Sequence, residues 1–152
     1  MRLGVDVGTA RVGVARSDPH GMLATPVETL ARRDDVVAGI RRLVDEHEAI
    51  EIVVGLPIAL SGAETASTAD ARTVAVALAS ALPTPVRLVD ERLTTVSAAR
   101  GLREAGRTTK NSRSVVDQAA AVILLQHALD LERASGNPPG ALVEPHESRP
   151  AQ

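Results

Sequence analysis

Residues 2–7 alternate between polar and apolar positions and then run apolar, and residues 11–16 do the same, with Gly8 to Ala10 between them. That spacing predicts two strands joined by a hairpin turn. A third extended stretch, Leu23 to Leu30, contains Pro26, whose missing amide favours a sheet edge. Val36, Val37, Ile40, Leu43 and Val44 then recur at a helical period behind Asp34 and Asp35, either of which can cap a helix ending near His47. The run IEIVVGLP is short and almost continuously apolar, as suits a strand buried on both faces, and Gly55 and Pro57 stop it. Beyond the polar loop SGAET a second helix is expected, with Ala69, Val74, Ala77, Leu78 and Ala81 inward and Pro83 and Pro85 closing it. VRLVDE reads as the next strand. Thr94 or Thr95 then caps a short helix over roughly 95–105, and the connector GRTTKNSRS leads into the longest helix, from Ser114 to about Arg133.

The order β-β-β-α-β-α-β-α-α predicts an α/β fold. Three antiparallel strands followed by two parallel ones form a five-stranded mixed sheet, with helices on both faces and the first strand near the centre. A ribonuclease H-like fold uses this order. Residues 134–152 are rich in Pro, Gly and polar residues and are expected to be a disordered tail, leaving one domain over residues 1–133.

Composition narrows the chemistry. The 152 residues contain no cysteine, which excludes disulfides and thiolate catalysis, and the four histidines lack zinc-type spacing. No apolar run reaches membrane-spanning length and no signal-peptide pattern opens the chain, so a cytoplasmic, membrane-free setting is expected. Phe, Tyr and Trp are absent, so a nucleic-acid base has no aromatic ring to stack on. The net charge of −2 means that any grip on nucleic acid must come from a local patch.

Three acids stand where strand and helix ends can meet. Asp6 lies near the end of the first strand, Asp90 and Glu91 end the last, and Asp117 opens the long helix. Ligand chemistry in such sheets gathers beyond the carboxyl ends of the strands. If the long helix crosses that end, Asp6, Glu91 and Asp117 converge on an oxygen-only site suited to Mg2+ or Mn2+. Two such ions about 4 Å apart can activate water and stabilise the leaving oxygen of a phosphodiester. Each acid also has a plainer reading. Asp6 can sit in a turn, Glu91 can pair with Arg92 at the surface, and Asp117 can favour a helix N-terminus. The Asp90–Glu91 pair leaves open which of the two faces the site. Arg100, Arg103, Arg107, Lys110 and Arg113 form the densest basic stretch, read either as a solvated face or as a grip on phosphates.

Four segments in order, LGVDVGTARVGVA, VVGLP…SGAET, VRLVDERLTTVSA and SVVDQAAAVILLQHALD, resemble the YqgF family, also called the RuvX or Holliday-junction-resolvase-like family. The resemblance implies a ribonuclease H-like fold. It implies a metal-dependent nuclease acting in 5′-end maturation of pre-16S rRNA, on branched DNA such as Holliday junctions, or on both. The active-site acids carried across are Asp6, Glu91 and Asp117, holding Mg2+ or Mn2+. Gly8, Thr9, Arg11, Gly55, Pro57, Gly62, Glu64, Arg92 and Thr94 match other recurrent positions. Thr9, Arg11, Arg92, Arg103, Arg107, Lys110 and Arg113 are the expected nucleic-acid contacts. Ribosomal particles are implied as further partners, and monomer and homodimer both stay open. Relatives often carry lysine where this chain has Ala10. Better-studied junction resolvases place an acid after the fourth strand, where this chain has Gly55, so the second carboxylate must come from the next strand.

Two other functions fit parts of the pattern. DVGT resembles the phosphate loop of sugar kinases, Hsp70 and actin, but those proteins close two such domains over a nucleotide. An RNA-binding assembly factor could keep the fold and leave the acids idle.

Overall fold

The computed structural model describes residues 1–93 and 110–145, with side chains at 1–92 and 118–145. The expected short helix over 95–105 lies outside the described residues. Strands β1 (Arg2–Val7), β2 (Arg11–Ser17) and β3 (Ala24–Ala31) form an antiparallel meander, followed by α1 (Val36–His47) and β4 (Glu51–Leu56). Then come α2 (Ala66–Ala81), β5 (Val86–Asp90), a single 3-10 turn at Glu91–Leu93, α3 (Lys110–Ser135) and β6 (Ala141–Leu142). The sheet order is β3-β2-β1-β4-β5-β6. β1 therefore lies inside the sheet, parallel to β4, and β4 is parallel to β5. Pro26 stands on the edge strand β3, where its missing amide costs no ladder bond.

Alternation along the strands builds two layers. Leu3, Val5, Val7, Ile52, Val54 and Leu56 pack on one face with Ile40, Leu43 and Val44 of α1 and Val74 and Leu78 of α2. Val53 and Val89 face the other way, onto Ala120, Ala121, Leu124, Leu125, Ala128 and Leu129 of α3. Asp35 caps α1 by accepting from the Ala38 amide at 3.0 Å. In α2 the buried face is Thr68, Ala71, Val74, Ala75 and Leu78, whereas Ala69, Ala77 and Ala81 are exposed. Alanine occurs on every side of this helix, so its small side chains do not mark a face, and the bulkier Val74 and Leu78 decide it.

Two boundaries differ from expectation. Helix α3 begins at Lys110 and not at Ser114, because nothing in the polar run before Ser114 bars helical backbone. The segment after residue 133 also holds structure. β6 pairs antiparallel with β5, covering what would otherwise be a bare sheet edge, and the Val143 amide donates to the Val86 carbonyl at 2.8 Å. Gly140 permits that approach. It has φ +68°, and a Cβ there would stand 2.2 Å from the Leu88 carbonyl oxygen.

Helix α3 sits close on β1 at Gly4, where an added Cβ would meet Leu125 Cβ at 2.7 Å and the Ala121 carbonyl oxygen at 3.2 Å. Gly4→Ala should therefore lift the helix from the sheet at a cost of about 1–3 kcal/mol. At about 2–4 °C per kcal/mol for a chain of this size, melting followed by circular dichroism should fall by several degrees. An unchanged melting temperature would show that α3 is free to retreat.

Candidate active site

Asp6 is fully buried in the interior strand β1. It shares the α3-facing side with Gly4, two residues earlier, because side chains alternate along a strand. Its antiparallel partner on β2 is Gly13. On β4, Val54 partners Val5, so the next residue, Gly55, stands beside Asp6. The carboxylate is thus flanked on both neighbouring strands by residues with no side chain.

Glu91 reaches the same place from β5. Val89 faces α3 and Asp90 faces away, and Glu91, which opens the 3-10 turn, comes back to the α3 side. Its side chain is 2% exposed. A Cβ added to Gly55 would lie only 2.4 Å from Glu91 Oε2, so the Glu91 carboxylate rests directly over Gly55, beside Asp6. Asp90 is occupied elsewhere. Arg92 donates to it from Nε at 3.0 Å and from a terminal nitrogen at 2.7 Å, and the Arg92 amide donates at 2.8 Å. These bonds hold the Asp90 carboxyl below its ordinary value. Of the two adjacent acids, Glu91 is the one that lies on the Asp6 side of the sheet.

The third expected acid lies on α3. Asp117 is the eighth residue of that helix, two turns in, so neither a cap nor the helix N-terminus accounts for it. Its side chain lies outside the described residues. Ala120, Ala121, Leu124 and Ala128, which follow it at helical spacing, are all fully buried against the sheet. The neighbouring Gln118 donates to Thr29 Oγ at 3.0 Å. Thr29 pairs with Gly13, and Gly13 with Asp6, so α3 crosses the sheet at the row that carries Asp6. Among the described residues no three acidic, His or Cys side chains form a metal-holding group.

The expected nucleic-acid contacts divide. Thr9 is exposed at the tip of the β1–β2 turn, and Arg11 is half-buried at the start of β2. Arg92 is exposed but engaged by Asp90, beside the 59–63 turn at Gly62. Arg103 and Arg107, with Arg100 and Thr94, lie outside the described residues. Lys110 and Arg113 fall in the first turn of α3, their side chains also undescribed.

Two features of the site escaped sequence reasoning. Arg32, just after β3, donates to the Gly8 carbonyl at 2.8 Å and to both Asp70 oxygens at 2.7 and 3.0 Å. On α2, Thr68 Oγ is bonded to the Pro57 carbonyl, and Thr65 and Thr68 make a reciprocal capping box. The S/T-x-x-T spacing signals that cap, but nothing in spacing alone links residues 8, 32 and 70.

Three comparisons bear on this geometry. A family model described as RuvX, Holliday junction resolvase, matches residues 1–131. A protein of Leifsonia xyli subsp. xyli named "Putative pre-16S rRNA nuclease" is 59% identical over 147 residues, 95% of each chain. A protein of the same name from Streptomyces coelicolor is 58% identical over 146 residues, 94% of this chain and 87% of that one. Among solved structures, T. thermophilus RuvC in complex with a Holliday junction substrate aligns with a TM-score of 0.54 at 15% identity. It covers 88% of this chain and 96% of the other. The architecture is ribonuclease H-like, its sheet extended here to six strands.

Proposed function

The chain belongs to the RuvX family of Holliday junction resolvases, and on that premise we propose a metal-dependent nuclease that hydrolyses phosphodiester bonds with Asp6, Glu91 and Asp117. One observation carries the reading. Two carboxylates, Asp6 at the end of β1 and Glu91 just after β5, are buried on one face of the sheet, the second lying over the bare Gly55 beside the first. Burying two like charges side by side is costly unless a cation or a proton offsets them. An all-oxygen donor set fits Mg2+ or Mn2+. When bound, such an ion supplies an activated water and stabilises the leaving oxygen.

The chain's own groups do the rest. Asp6 and Glu91 hold donor oxygens at the carboxyl ends of β1 and β5, and Asp117 supplies a third from α3. We assign the phosphate contacts to Thr9 at the tip of the β1–β2 turn, Arg11 at the start of β2 and Arg92 next to Glu91. The relatives' name favours pre-16S rRNA as substrate, and the family description favours branched DNA; we set the reaction in the cytoplasm, with ribosomal particles as partners when the substrate is the RNA. Among the described residues no helix is long and apolar enough to cross a membrane.

The test is cleavage of labelled precursor RNA and of a four-way DNA junction with Mg2+ or Mn2+, wild type beside Asp6→Asn. Loss of cleavage in the variant is expected. Identical behaviour would overturn the catalytic reading and leave an RNA-binding assembly role. For the basic stretch, alanine at Arg103, Arg107 and Lys110 should flatten the salt dependence of binding by about 0.7–0.9 of a slope unit per lost phosphate contact. An unchanged slope would return these residues to a solvated helix face.

A further inference from the structure

The Gly8–Ala10 turn lies two residues beyond Asp6, at the mouth of the candidate site. Within it the Gly8 amide donates to the Arg11 carbonyl at 2.9 Å. Two more bonds come from Arg32. The Arg32 amide donates to the Ala10 carbonyl at 2.9 Å, and its guanidinium donates to the Gly8 carbonyl at 2.8 Å. The same guanidinium nitrogen also donates to Asp70 at 2.7 Å, and the second nitrogen completes a two-pronged contact at 3.0 Å. Asp70 stands on α2, one turn in from the capping box whose Thr68 is bonded to the Pro57 carbonyl after β4. The first turns of α2 therefore fasten both loops at the carboxyl ends of β1 and β4.

We propose that Arg32 and Asp70 are a positioning pair for the nuclease: they hold the β1–β2 turn, and through it the Asp6 end of β1, in the geometry that receives metal and phosphate. The inference rests on the metal-nuclease reading above. Neither side chain is needed to fill the core, since both are about one-third exposed or less and sit at the sheet's end. The planar fork of arginine satisfies a carbonyl and a carboxylate at once, which one lysine ammonium does less rigidly. Arg32 also keeps the Asp70 carboxyl below its ordinary value, so the pair stays ionised across the neutral range. Groups that orient a metal ligand without touching the ion typically change affinity or rate by about 10–100-fold when removed.

The experiment measures Mn2+ binding to the full chain by calorimetry, without substrate, and then kcat and KM for cleavage of the labelled junction or precursor RNA. Arg32→Ala, Asp70→Asn, the double variant and Asp6→Asn are compared with Arg42→Ala, which breaks the exposed Arg42–Glu28 pair away from the site. Arg32→Ala and Asp70→Asn should each weaken Mn2+ binding and lower kcat by about 10–100-fold, with KM changed far less. The double variant should be no worse than the more severe single one, because both act through one turn. Arg42→Ala should match the wild type. Melting temperature is recorded throughout, and if Arg32→Ala does not fold, the isosteric Asp70→Asn decides. Folded pair variants with Mn2+ affinity and kcat within twofold of wild type would overturn the pair while Asp6→Asn is inactive. An Asp6→Asn variant that still binds Mn2+ and cleaves would overturn the metal reading, and with it the pair's purpose.

Discussion

Asp6→Asn and Glu91→Gln should each lower the cleavage rate by about a thousandfold while the protein still folds. A bound divalent ion contributes several kcal/mol of transition-state stabilisation in phosphodiester hydrolysis, and each 1.4 kcal/mol is about a tenfold change in rate. An amide keeps the shape of either carboxylate but removes the negative charge that a hard cation requires. Both side chains are buried at the ends of β1 and β5, the two strands that flank β4 in the parallel part of the sheet. The double variant should fall no further than the worse single one, because the two acids serve one ion-binding unit. Single-turnover cleavage of a labelled four-way junction or precursor RNA, with Mn2+ at saturating concentration, makes the measurement. Asp117→Asn in the same series reports on the helix carboxylate. Full activity in Asp6→Asn would refute the assignment, and full activity in Asp117→Asn alone would reduce the site to two acids.

The first two strands were legible in the sequence because two-residue alternation is a local signal, and β4 because a short apolar run is another. Asp6 stood out for the same reason. A carboxylate between Val5 and Val7 in a run that must be buried has few structural reasons to exist. Pro26 marked the edge of the sheet through its missing amide, a property of the residue itself. Helix α2 was legible as a helix but not in its facing, since alanines on all sides give the period no contrast. β6 was hidden by length. Two residues carry no pattern, and what recruits them is the unpaired edge of β5, a feature of the assembled sheet.

The site shows the same division between local and assembled information. Composition and order pointed to Asp6, Glu91 and Asp117, yet the ambiguity between Asp90 and Glu91 could be lifted only by strand phase. Asp90 turns away to Arg92, and Glu91 turns in over Gly55. Nothing local in the sequence separates Arg32 from its neighbour Arg33. Its role depends on the meander bringing residues 8 and 32 together and on α2 delivering Asp70, separations of 24 and 38 residues that no local pattern encodes.

Gly55 ties these threads together, and Gly55→Ala should cost about a hundredfold in activity for a small loss of stability. At first sight the residue is only the end of an apolar strand, and a methyl group there is a minor change. The Glu91 Oε2 atom, however, occupies the space that methyl group would fill, at 2.4 Å from the added carbon. Leu124 Cδ2, at 3.2 Å, blocks escape toward α3. The carboxylate is the end of a flexible side chain and will swing away before the backbone yields. The fold should therefore lose no more than about 1–3 kcal/mol, the ordinary cost of overpacking. The chemistry is less tolerant, because displacing a reacting group by about 1 Å can cost a hundredfold in rate. Coupling separates this account from general damage. In a Glu91→Gln background, Gly55→Ala should reduce the residual rate by less than about twofold, since its effect passes through the side chain already disabled. If the two losses multiply instead, Gly55 acts by some route other than the placement of Glu91. The bare strand position next to Asp6 would then owe its glycine to substrate approach and not to the acid above it.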